Sequence, residues 1–175
     1  MIIVFTGNGK GKTTSSLGQM VRVAGRGKSA LMIQFIKGPW RSGEDEFGKR
    51  FKIDDLRFKI QKMGLGFVGI LGDKLPFEEH KKAAEEALEF FKKEMASGKW
   101  QLIVLDEINV AVSLGLLKPE QVIEAAKDYP KEKLLILSGR NAPREFIDIA
   151  NLVTEMKEIK HPFNDGELAK LGIEF

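Results

Sequence analysis

One stretch near the start of the chain restricts the fold more than any other: Phe5-Thr6-Gly7-Asn8-Gly9-Lys10-Gly11-Lys12-Thr13-Thr14. An apolar run from Ile2 to Phe5 leads into it, and a helical pattern from Lys12 to Ala24 leads out. Strand, glycine loop and helix in that order form a cradle for an anion. Glycines let backbone N–H groups approach without a Cβ in the way, and the helix adds its free N–H groups and the positive end of its dipole. Lys12 can reach phosphates, and the Thr13 hydroxyl is placed to ligate Mg²⁺. The pattern is that of a P-loop for a nucleoside triphosphate, with one departure: Thr6 stands where the first glycine is usual. As a functional cation, Lys12 is expected to face solvent.

The rest of the chain fits an α/β protein. Ser29–Ile36, Arg57–Met63, Lys133–Ser138 and Leu152–Met156 read as further strands, the first and third fully buried. Helices are expected over Phe77–Ala96, Pro119–Lys127 and Pro143–Ala150. In the helix after the loop, Leu17, Met20, Val21 and Ala24 share one expected face. In Phe77–Ala96 that face is Ala84, Leu88, Phe91 and Met95, and His80 is expected at the surface. The succession predicts one RecA-like domain over residues 1–175, a mostly parallel sheet with helices on both faces. The chain of 175 residues is long enough for one full core.

The second informative stretch is Trp100–Asn109. Leu102-Ile103-Val104-Leu105 ends in Asp106-Glu107, four apolar residues and then two carboxylates. Downstream of a phosphate loop this is the Walker B pattern, with both acids at a strand's C-terminal end, holding Mg²⁺ directly or through water. Arg140 follows another strand, where it can clamp phosphate or serve a structural ion pair.

Two segments fit neither a kinase nor a simple hydrolase. Lys37–Phe51 mixes glycine, proline and charge with two exposed-looking aromatics, Trp40 and Phe47, just after a strand's C-terminal end, where open α/β sheets bind ligands. Gly64–Gly72 (GLGFVGILG) is uncharged and glycine-rich, so it either buries in the core or covers a large apolar ligand.

Composition closes off other chemistry. There is no cysteine, hence no disulfide, thiolate metal site or cysteine nucleophile, and only His80 and His161 are present, too few for a multi-histidine metal site. The net charge of +3 suits an anionic ligand but lacks the clustered basic face of a nucleic-acid binder. The chain opens on a strand and holds no apolar run of membrane-spanning length, so a cytoplasmic protein without a signal peptide is expected. From the residues three readings stay open: a phosphotransferase or hydrolase in which Glu107 positions water, a nucleotide-dependent single-strand-binding module, and an enzyme that uses triphosphate as a leaving group. The last needs no general base when its nucleophile is already strong.

GNGKGKTT, QFIKGPW, VLDEI, SGRNAP, the NLVTEMKEIKHPF run and the closing GIEF together resemble the P-loop ATP:corrinoid adenosyltransferases over nearly the whole chain. The resemblance implies transfer of the 5′-deoxyadenosyl group of ATP to the cobalt(I) of a reduced corrinoid, with release of triphosphate. It implies a homodimer, with a flavoprotein reductase as candidate electron donor. On matching positions Asn8, Gly9, Lys10, Gly11, Lys12, Thr13 and Thr14 would bind the triphosphate. Thr13 and Glu107 would hold Mg²⁺, with Asp106 as a further or water-mediated ligand. Arg22 and Arg140 would be further nucleotide contacts, Lys12 and Glu107 the catalytic pair, and Phe67 and Trp40 corrinoid contacts. The family carries an aromatic pair in the loop matching Gly64–Asp73, which helps push the lower axial ligand off cobalt. Phe67 matches one member and Gly69 stands at the other, leaving that role to neighbours such as Val68, Ile70 or Leu71. Some members also have an N-terminal extension over the corrin site, and here any cover is expected from elsewhere.

Overall fold

A computed structural model describes the chain except residues 39, 51–56, 71, 171, 174 and 175; the side chains of 48–50 and 163 are also outside the description. Leu71, Phe51 and the end of the GIEF motif therefore lie outside it. Six strands form one sheet: β1 (Ile2–Thr6), β2 (Ala30–Gln34), β3 (Phe58–Lys62), β4 (Leu102–Asp106), β5 (Leu134–Ser138) and β6 (Leu152–Glu155). Their spatial order is β3-β2-β4-β5-β1-β6, and every pair is parallel. The sheet expected to be mostly parallel is parallel throughout the described residues.

The period of two along each strand sends alternate side chains to opposite faces. Leu31, Ile33, Ile103, Leu105, Leu135 and Leu137 enter one buried cluster, while Ala30, Met32, Leu102, Val104 and Ile136 enter the other. The smaller cluster is closed by Met20 and Val23 of α1 (Lys12–Ala24). The larger is closed by α3 (Phe77–Ala96), α4 (Ile108–Ser113), α5 (Pro119–Ala126) and α6 (Arg144–Ile149), through Leu88, Phe91, Ile108, Val122 and Phe146. Strands buried on both faces are what a parallel sheet requires, and they explain the near-continuous apolar runs. No helix among the described residues is long and apolar enough to cross a membrane.

Two expectations change, and one segment given no element by the sequence is helical. The inner face of α1 is Lys12, Ser16, Met20 and Val23, and Val21 is exposed, because the helix starts inside a polar site and buries two polar residues there. Gly43–Arg50 is a helix, α2, with Glu44, Asp45 and Glu46 in its first turn, where carboxylates favour the positive dipole end. His80 is buried, 3 % exposed.

Candidate functional site

The C-terminal ends of β1, β2, β4 and β5 meet at one edge of the sheet, and the phosphate loop sits there. The loop packs closely on the segment leaving β6. Gly9 N–H donates to Met156 O at 2.7 Å. A Cβ at Gly7 (φ +93°) would lie 2.4 Å from Met156 O, and one at Gly9 2.7 Å from Lys157 O. These two glycines are thus required by the neighbouring chain as well as by any anion. The departure at Thr6 also has a structural reason: its hydroxyl accepts the Ala142 N–H at 3.1 Å, tying the loop's start to the turn after β5.

Lys12 does not face solvent. It is 7 % exposed, and its Nζ donates to Gly7 O at 2.8 Å and Gly9 O at 2.7 Å, folded back on its own loop. Burial pulls its pKa down, against the raising effect of Glu107.

Behind the loop the last residues of three strands form a buried polar knot. Asp106, fully buried at the end of β4, accepts from Ser138 Oγ at 2.7 Å, Thr13 Oγ1 at 3.1 Å and Gln34 Nε2 at 3.2 Å. Lys37 Nζ lies 3.6 Å from Asp106 and 2.8 Å from Glu44. Burial lowers the Lys37 pKa, but Asp106 and Glu44 outweigh it and the net shift is upward. Next in sequence, Glu107 adopts φ 62°, a left-handed conformation uncommon for a residue with a side chain, which turns the chain from β4 into α4. Burial first, and Asp106 second, push the Glu107 carboxyl up to about 7.

A cavity of about 420 Å³ opens over this knot. Gly9, Lys10, Gly11, Lys12, Thr13, Thr14, Glu107 and Arg140 line it, as the sequence predicts. Asn8 is exposed at the loop crest, and Asp106 lies behind the lining. Arg22 does not line the cavity: it is exposed in the last turn of α1, the opposite end of that helix from the loop. Lys37, Gly43, Glu44, His161, Gly172 and Ile173 also line it, and sequence reasoning did not assign them there. Lone polar residues ending apolar strands (Gln34, Ser138) or directly after one (Lys37) were the available signal. The tail's path back to the loop had none.

The chain matches the family model for ATP:corrinoid adenosyltransferases BtuR/CobO/CobP over residues 1–175. It belongs to that enzyme family. It is 34 % identical over 175 residues to a corrinoid adenosyltransferase of Escherichia coli strain K12, covering all of this chain and 85 % of that one. It is 35 % identical over 175 residues to corrinoid adenosyltransferase CobA of Salmonella typhimurium strain LT2, again covering 85 % of the relative. A corrinoid adenosyltransferase of a Sinorhizobium species is 37 % identical over 177 residues, with 80 % of its length covered.

Where the resemblance implies a second aromatic, Gly69 has φ +68°, a backbone that a side chain strains. The chain instead brings Trp40 beside Phe67, with ring centroids 5.5 Å apart and planes 34° off parallel. Both rings remain exposed, 60 % and 44 %. Gly66 sits under the indole, where a Cβ would lie 2.8 Å from Trp40 Cη2. Lys62 Nζ fixes the segment by donating to Trp40 O at 2.6 Å and Asp45 Oδ2 at 2.5 Å.

The two neighbouring acids predict opposite stability effects. Glu107 is raised in the folded state from 4.5 to about 7. The folded protein therefore holds its proton more tightly than the unfolded chain, and ionising it costs stability as pH rises through that window. Glu107→Gln is expected to stabilise the ligand-free protein at pH 8 by at most about 3 kcal/mol, and not at pH 4. Thermal melts at the two pH values check it, and an equal change at both would contradict the burial cost.

Proposed function

We propose that this chain transfers the 5′-deoxyadenosyl group of ATP to the cobalt(I) of a reduced corrinoid and releases triphosphate. The observation that carries it is the sharing of one segment, Lys37–Glu44, by two surfaces. Lys37, Gly43 and Glu44 line the phosphate cavity, while Trp40 packs beside Phe67 outside it. An anion cradle beside an exposed aromatic face suits a reaction joining a nucleotide to a large, partly apolar ring.

In this reading cobalt(I) donates an electron pair to C5′. The Co–C5′ bond forms as the C5′–O5′ bond breaks, and the latter's electrons leave on the triphosphate. The protein supplies no base. Lys10, Lys12 and Arg140 bring positive charge to the leaving triphosphate, the loop N–H groups fix its orientation, and Trp40 and Phe67 seat the corrin. Thr13 Oγ1, Asp106 and Glu107 offer hard oxygen donors, and two carboxylates fit Mg²⁺, which fills its remaining positions with phosphate and water. Mg²⁺ there would neutralise charge on the triphosphate. The family resemblance extends the proposal to a single-domain cytoplasmic homodimer with Mg²⁺ as cofactor and a flavoprotein as electron donor.

The test is anaerobic incubation of protein, Mg²⁺, ATP and chemically reduced cobalamin. A light-sensitive adenosylcobalamin spectrum with equimolar triphosphate is expected. ADP and phosphate with unchanged corrinoid would make the chain a phosphotransferase or hydrolase instead.

If the aromatic pair also helps displace the lower axial ligand, Phe67→Ala should hurt one assay more than the other. We expect about tenfold loss with cob(II)alamin plus reductant, the upper end for one aromatic contact, and a smaller loss with pre-reduced cob(I)alamin. Equal losses in both assays would remove ligand displacement from Phe67.

A further inference from the structure

The Gly64–Gly72 loop carries Phe67, and several of its described side chains face solvent. Leu65, Phe67 and Ile70 are each more than a third exposed, and Gly66, Gly69 and Gly72 all have positive φ. Such a segment has much conformational entropy to lose on ordering. Among the described loop residues, Val68 packs against the core.

Gly64 and Gly66 N–H donate to Gln34 O at 3.1 Å and Ile36 O at 2.9 Å, which fixes the loop's start, while the polar contacts of its second half converge on Asp73. Its Oδ2 accepts the Gly69 N–H at 2.9 Å, its Oδ1 accepts the Leu75 N–H at 3.0 Å, and its own N–H donates to Ile70 O at 3.1 Å. His80 Nε2, in the first turns of α3, lies 3.0 Å from Oδ2. The side chains are 9 % and 2 % exposed, so water competes weakly for this bond. A carboxylate only accepts, so His80 donates through Nε2–H. The N–H groups of Gly69 and then Leu75 hold the Asp73 carboxyl below its usual range, as expected for an ionised acceptor. The ring is thus a buried post on a helix that is itself fixed to the core by Ala84, Leu88 and Phe91.

We propose that Asp73 and His80 are positioning residues, a latch that holds the loop on α3 and so sets where Phe67 meets the corrin ring. The proposal rests on the reading of Trp40 and Phe67 as the corrin face. It assigns a role to the one histidine that the phosphate cavity does not use.

The test compares His80→Phe, His80→Gln, Asp73→Ala and Phe67→Ala in the full chain, with ATP and chemically reduced cob(I)alamin varied in turn. His80→Phe keeps the bulk and loses the donor. His80→Gln keeps an N–H donor of similar reach. Asp73→Ala breaks the same bond from the loop side without opening a core cavity. His80→Phe and Asp73→Ala should each raise the KM for corrinoid about three- to fivefold, within the worth of the one aromatic contact that the latch positions, with the KM for ATP unchanged. His80→Gln should largely restore it, and hydrogen exchange at the Gly69 and Leu75 amides should speed up in the two damaging variants alone. A KM for corrinoid that moves in Phe67→Ala but not in the latch variants would overturn the latch. Parallel rises in both KM values would also overturn it, showing general destabilisation. No change in Phe67→Ala would overturn the corrin-face reading, and the latch's role with it.

Discussion

Replacing Lys12 by alanine is expected to cut adenosyl transfer by about a thousandfold, the scale for losing a pre-oriented charge at a developing anion. The fold should persist. The lysine holds two loop carbonyls, Gly7 O and Gly9 O, and its burial already pulls its pKa down. Removing it gives up those two hydrogen bonds but also a desolvated charge, so the net change in stability should stay within about 1 kcal/mol. The ammonium has three N–H donors and the two carbonyls use two, so a triphosphate in the cavity can accept the third. Its phosphate oxygens accept more strongly than amide carbonyls because they are charged. The loss should therefore appear in kcat/KM and in the affinity for ATP together. Single-turnover transfer with pre-reduced cobalamin measures it, with a thermal melt alongside. A variant that keeps more than about a tenth of the activity, an effect under 1.4 kcal/mol, would move the triphosphate away from this loop.

The phosphate loop could be read from the sequence because its function and its local structure use the same residues. Glycines, a lysine and a threonine in fixed order between a strand and a helix need no distant partner to be recognised. The long amphipathic helix Phe77–Ala96 could be read for a similar reason: its burial repeats locally, and Ala84, Leu88 and Phe91 are buried as expected. What escaped was set by distant contacts. His80 looks like a solvated helix-start residue until Asp73 folds over it. Ile108–Ser113 continues the apolar run of β4, and only the left-handed turn at Glu107 separates helix from strand. Val21 looks like core in α1 because the helix wheel cannot tell that Lys12 and Ser16 are the buried polar residues. The tail's motif was visible, but His161 and Ile173 reach the cavity only because the chain returns past Met156 to the loop. Trp40 and Phe67 are far apart in sequence, and their contact depends on Gly66 leaving room for the indole.

Asp106→Ala should be the most destabilising single change in the site, by about 3–5 kcal/mol, the cost of removing one partner from a buried charged network. Its carboxylate accepts from Ser138, Thr13 and Gln34, and it faces Lys37. It therefore joins the ends of β2, β4 and β5 to the first turn of α1. Alanine leaves three donors without an acceptor, two of them on the fully buried Ser138 and Gln34, and a buried donor costs more unmade than it gains when made. Lys37 would keep Glu44 but lose the second carboxylate. For a chain of this size the melting point should drop by roughly 10 °C. Asp106→Asn separates the two roles assigned to the residue. It keeps the shape and one acceptor oxygen, so most stability should return, while the lost charge should still weaken Mg²⁺-dependent ATP binding. Should alanine leave the melting point unchanged, the knot would not be what holds these strand ends together. Should asparagine bind ATP and Mg²⁺ as the parent does, Asp106 would be a structural acceptor and Glu107 would stand as the carboxylate that meets the metal.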